Sequence, residues 1–93
     1  MKKKMIMKKI DFSKMEICTG ISHELCVVRD IREDFADTMF KNMIGLPALA
    51  LALKIYNSNG EEEYDDKEVK IIKACAENLT SPNVIDAIYE KIR

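Results

Sequence analysis

Cys18, His23 and Cys26 form a C-x4-H-x2-C array around a turn signal, the one cluster of soft ligands in the 93-residue sequence. Zinc usually takes four ligands in two close pairs. A fourth could come only from Cys75, which lies among apolar residues at helical spacing. Buried free thiols behave as small hydrophobes. The expectation is therefore ordinary packing for the cysteines and an exposed turn position for His23, with no metal and no cofactor. A cross-hairpin disulfide between Cys18 and Cys26 is geometrically conceivable, but disfavoured in the reducing compartment expected below. Nucleophilic catalysis needs a base beside Ser or Cys, and His23 is the only histidine.

Other constellations fail on chemistry. Aligning Gly60 with the invariant glycine of a calcium loop puts Asn57 and Asn59 at the third and fifth positions. The first position is then Ile55 and the twelfth Asp66, where a bidentate Glu is needed. Asp34 and Asp37 fall on the wet side of a helix, and no glycine-rich phosphate loop is present. The last two predicted helices have helix-turn-helix spacing. The second would present Asn83, Asp86, Glu90, Lys91 and Arg93, and its two acids would repel phosphates. No catalytic, cofactor-binding or metal residue is assigned, and the protein is expected not to be an enzyme.

The elements that would carry such residues are legible. Residues 6–28 read as strand, with Ile10 and Phe12 alternating with Asp11, and Met15 and Ile17 with Glu16. The phase shifts at Ser13-Lys14, a bulge or short break. Thr19-Gly20-Ile21-Ser22 is the turn, and His23 to Val28 the returning strand. Asp30 with Glu33 opens a helix in capping-box style, with a stripe of Ile31, Phe35, Met39 and Met43.

Next comes L-P-A-L-A-L-A-L-K-I-Y, Leu46 to Tyr56. Its alternation could be read as a strand, but Ala and Leu are strong helix formers and Pro47 suits a first turn. One face carries Leu46, Leu49, Leu53 and Tyr56, the other Ala48, Leu51, Ala52 and Ile55. A helix apolar almost all round should be covered on nearly every side. Residues 45–55 span about half of the roughly 20 apolar residues a membrane helix needs. This helix is expected to be the buried centre, with Leu49 and Leu53 in the core.

Asn57 to Gly60 supplies a helix stop. Glu61 to Tyr64 is an extended linker or edge strand, and Asp65 with Glu68 repeats the capping pattern. The third helix buries Val69, Ile72, Ala76 and Leu79, with Ile71 and Cys75; Ser81-Pro82 opens a fourth, carrying Val84, Ile85, Ile88, Tyr89 and Ile92. The fold class is α+β: an N-terminal β-hairpin packed on about four short α-helices, residues 1–93 forming one domain.

Net charge is −1, but Lys2, Lys3, Lys4, Lys8 and Lys9 supply five of fifteen basic residues. The remainder opposes ten basic to sixteen acidic residues, a poor match to phosphate backbones. Residues 1–9 read as a solvated basic tail or the start of the first strand. Met1, Met5 and Met7 could each serve as the start. Met5–Met7 is too short an apolar run for a secretion signal, so three reduced cysteines in a cytoplasm are expected, with no membrane association.

Four segments carry a resemblance: K-K-I-D-F (Lys8 to Phe12), T-G-I-S (Thr19 to Ser22), L-A-L-K-I-Y-N-S-N-G-E (Leu51 to Glu61) and D-D-K-E-V (Asp65 to Val69). Together they resemble small uncharacterised proteins of bacterial prophages and mobile elements. The resemblance implies an accessory or structural role in a bacterial host. The favoured function is a non-enzymatic interaction protein, acting on a protein partner or on itself as a homodimer. An apolar surface or an unpaired strand edge would serve it. The alternative is a nucleic-acid-associated regulator using the basic tail or the last two helices.

Overall fold

The computed structural model describes residues 7–92. It is an α+β fold in which two small antiparallel sheets pack against four helices. The 6–28 segment does not form one hairpin. β1 (Lys8–Ile10) and β2 (Met15–Cys18) are split by a turn at the predicted phase shift. There Asp11 accepts from Lys14 N through its carbonyl and from Ser13 N and Oγ through its carboxylate. Each strand then takes a different partner. β2 pairs with β3 (Cys26–Arg29) to give the hairpin, with Met15 opposite Arg29 and Cys18 opposite Cys26. β1 pairs with β4 (Glu62–Tyr64), the segment expected to be linker or edge strand, with Lys9 opposite Glu63. Lys8 and Lys9 thus belong to a strand; Lys2, Lys3 and Lys4 lie outside the described residues.

The alternation of β2 does what its pattern requires, with Met15 and Ile17 buried and Glu16 exposed. β3, by contrast, leaves Val27 and Val28 exposed. Phe12 sits between the strands at the centre of the core. Its ring stacks on Phe35 at 5.2 Å and meets Tyr64 edge-on at 5.8 Å, both favoured aromatic geometries.

α1 (Arg32–Asn42) starts one residue later than a cap at Asp30 would set. Ile31 is buried and donates its N–H to Phe12 O, so it takes the cap position and no side chain caps the helix. The expected Asp30–Glu33 capping box is therefore not formed. Asp30 instead accepts from Arg32 N and from the Arg32 guanidinium, which also donates to Ser58 O at 2.6 Å. Those bonds hold the exposed Asp30 carboxyl below its ordinary range. The Asp65–Glu68 box does form, each side chain meeting the other's backbone N–H at 2.8–3.0 Å, and it opens α3 (Asp66–Leu79).

α2 (Leu46–Tyr56) has the predicted bounds, with Gly45 at φ 103° supplying the entry turn and Pro47 in the first turn. Lys54 joins α2 to the next elements. Its ammonium donates to Glu63 O at 2.7 Å and to Glu68, and lies over the Tyr64 ring. α4 (Pro82–Ile92) buries Ala87, Ile88 and Ile92. The largest fully buried side chains of the core are Ile10, Phe12, Met15, Met39, Leu51, Ile55, Tyr64, Ile72, Cys75 and Ile88. Leu79, expected with them, is exposed. Among the described residues no helix is long and apolar enough to cross a membrane.

Candidate functional site

Only one side of α2 is covered, and it is the small one. Ala48, Leu51, Ala52 and Ile55 are buried, because alanine lets the backbone of α1 approach closely and Leu51 and Ile55 fill the space beside it. The bulky face expected in the core is on the surface instead: Leu46 is 75 % exposed, Leu53 53 %, and Leu49 and Tyr56 are exposed as well. The central helix is thus buried on one face rather than all round. Phe40 of α1 and Ile44 of the connector, 96 % exposed, extend the same apolar surface. Between the helices runs a groove of about 220 Å³, with Ala36 and Ala52 beneath and Phe40, Leu53 and Tyr56 along its sides. Contiguous apolar patches of several hundred Å² mark interaction sites in soluble proteins. Sequence periodicity found the two faces of α2 but assigned the burial to both. The polarity of Asp37 and Lys41 beside Phe40 was the available sign that this side of α1 stays in water.

The cysteine–histidine cluster comes together, but not as ligands. Cys18 and Cys26 are joined in a disulfide, their Cα atoms 3.8 Å apart at the last pair of the β2–β3 ladder. This corrects the expectation of reduced, packed thiols. With both sulfurs bonded to each other, neither offers the thiolate a zinc site needs. Both cysteines are half-buried at the hairpin tip rather than in the core. His23 sits in the left-handed region at φ 61°, and its Nε2 meets Asp86 Oδ2 of α4 at 2.7 Å. Sequence reading placed His23 in an exposed turn and Asp86 on an outward helix face; their pairing across 63 positions had no sequence signal.

Cys75 is fully buried on the inner face of α3, and burial pushes its thiol up to about 11. Among the described residues no group of three or more His, Cys, Asp or Glu is arranged to hold a metal. In the loop tested for calcium, Asn57 Nδ2 donates to Leu53 O and Ser58 Oγ to Ile55 O, so these side chains close the end of α2. Of the residues weighed for DNA reading, Asn83 accepts from Ser81 Oγ and Asp86 is paired with His23, while Arg93 lies outside the described residues. A surface cleft of about 470 Å³ is lined by Asp34, Asp30 and Arg32, and the last two already pair with each other.

Compared with known proteins, the chain matches no protein-family model, no curated protein and no solved structure. The α+β fold and these two surface features carry the functional argument.

Proposed function

We propose that this protein is a small non-enzymatic interaction module that acts as a homodimer, docked through the outer face of α2 and the adjoining side of α1. The observation that carries the reading is the exposed row of Leu46, Leu49, Leu53 and Tyr56, flanked by Phe40 and Ile44. A standard interface takes about 800 Å² from each partner, and six exposed large apolar side chains are the material for the centre of one. The surface is also suited to its own copy. A ridge of leucines lies beside a groove floored by alanines, and a two-fold axis would set the ridge of one protomer into the groove of the other. The resemblance to prophage-carried proteins supports an accessory role in a bacterial host.

Light scattering over a concentration series tests this reading. The wild-type chain should approach twice 10.7 kDa at high micromolar concentration. Leu53→Asp should remain at the monomer mass with unchanged far-ultraviolet circular dichroism, and Val28→Lys, on the exposed hairpin strand, should dimerise normally. A wild-type mass that stays at 10.7 kDa removes the homodimer. A dimer lost in Val28→Lys and kept in Leu53→Asp moves the contact to the strand edge.

A further inference from the structure

The Cys18–Cys26 bond lies outside the apolar core, and the hairpin tip has other closures. Thr19 donates through N and Oγ1 to Leu25 O at 2.8 and 3.0 Å, and His23 is held by Asp86. Opening the disulfide would therefore leave the strand pairing and the core in place. The bond is also accessible. A cleft of about 350 Å³ between the hairpin tip and the start of α4 is lined by Cys18, His23, Pro82 and Asp86 and does not reach Cys26. A second cleft, of about 320 Å³, touches both cysteines. Displacement at sulfur runs along the S–S axis, so a nucleophile needs open space beyond the sulfur it attacks. The first cleft opens onto Cys18 and not onto Cys26.

We infer that the hairpin tip is a thiol–disulfide exchange site, in which a low-molecular-weight thiol entering the cleft beside α4 attacks Cys18 and displaces Cys26. The incoming thiolate forms a new S–S bond to Cys18 Sγ while the Cys18–Cys26 bond breaks, its electron pair leaving on Cys26 Sγ. Cys26 then takes a proton from water. His23 O stands 3.7 Å from Cys26 Sγ, placed to accept the new S–H. A second thiolate attacking the mixed disulfide releases the symmetrical small-molecule disulfide and leaves Cys18 as a thiolate, which water protonates. The protein disulfide is reduced by two electrons and two small thiols are oxidised. Cys75, enclosed in the core, takes no part.

The test treats the air-oxidised full chain with excess reduced glutathione, quenches with N-ethylmaleimide at intervals, and locates both groups by fragmentation mass spectrometry. Glutathione should appear on Cys18 with the alkyl group on Cys26, at least tenfold over the reverse arrangement, while circular dichroism stays unchanged. In single variants treated with glutathione disulfide, Cys26→Ser should be modified at Cys18 at least tenfold faster than Cys18→Ser is at Cys26. An even split, a preference for Cys26, or a bond inert to glutathione until the protein is unfolded would each overturn the proposal. So would two free thiols at these positions in protein handled under air.

Discussion

Leu51 and Leu53, two positions apart on α2, are 2 % and 53 % exposed, and that difference separates the fold-holding side of the helix from the proposed docking side. Leu51→Ala should cost about 2–5 kcal/mol, the range for emptying a packed leucine site. Leu53→Ala, measured on dilute protein, should cost less than about 1 kcal/mol. Urea denaturation of the two variants checks this, and equal losses would place Leu53 in the core after all.

Tyr64 is the largest fully buried side chain, and among the described residues its hydroxyl makes no hydrogen bond of good geometry, only a weak interaction with Ser58. Replacing it with Phe keeps the ring against Phe12 and removes the orphan oxygen. An unsatisfied buried polar group costs roughly 1–3 kcal/mol. Tyr64→Phe should therefore leave stability unchanged or raise it by about 1 kcal/mol. A clear fall in melting temperature would show that the hydroxyl has a partner.

The two aspartates that looked alike as caps should behave differently. Asp65→Ala removes a formed capping box and should cost about 1 kcal/mol. Asp30→Ala removes only an exposed pairing with Arg32, and exposed ion pairs contribute about 0–1 kcal/mol. Thermal melts that rank Asp30→Ala as the more damaging would contradict this assignment.

Alkaline pH should loosen the fold. Burial raises the Cys75 thiol from 9.0 to about 11, and burial, with Glu62 and Glu68 nearby, raises the Tyr64 phenol well above its ordinary 10.0. Both groups hold their protons more tightly in the folded chain, so between these values the unfolded chain ionises first. The stability from keeping them neutral is complete below about pH 9 and falls as pH rises toward 11 and beyond. Denaturation midpoints between pH 7 and 11 should decline above 9, and Cys75→Ala should flatten part of that decline. Midpoints rising over that interval would reverse the assignment.

By itself the sequence determined the local elements. Pro47 and the Ala/Leu run set α2, Asp65 with Glu68 set the start of α3, and the phase break at Ser13-Lys14 set the end of a strand pattern. These are short-range signals, written in backbone preferences and in contacts between residues three or four apart. Which strand pairs with which, and which face of an all-apolar helix is covered, depend on what arrives from elsewhere in the chain. β4 reaches β1 from 54 positions away, from Lys9 to Glu63, and α1 packs on the alanine side of α2, leaving Leu46, Leu49 and Leu53 outside. The same holds for Cys18 and Cys26, whose spacing allowed a ligand set, free thiols or a bond. Only the β2–β3 register, which puts them directly opposite each other, decided for the bond.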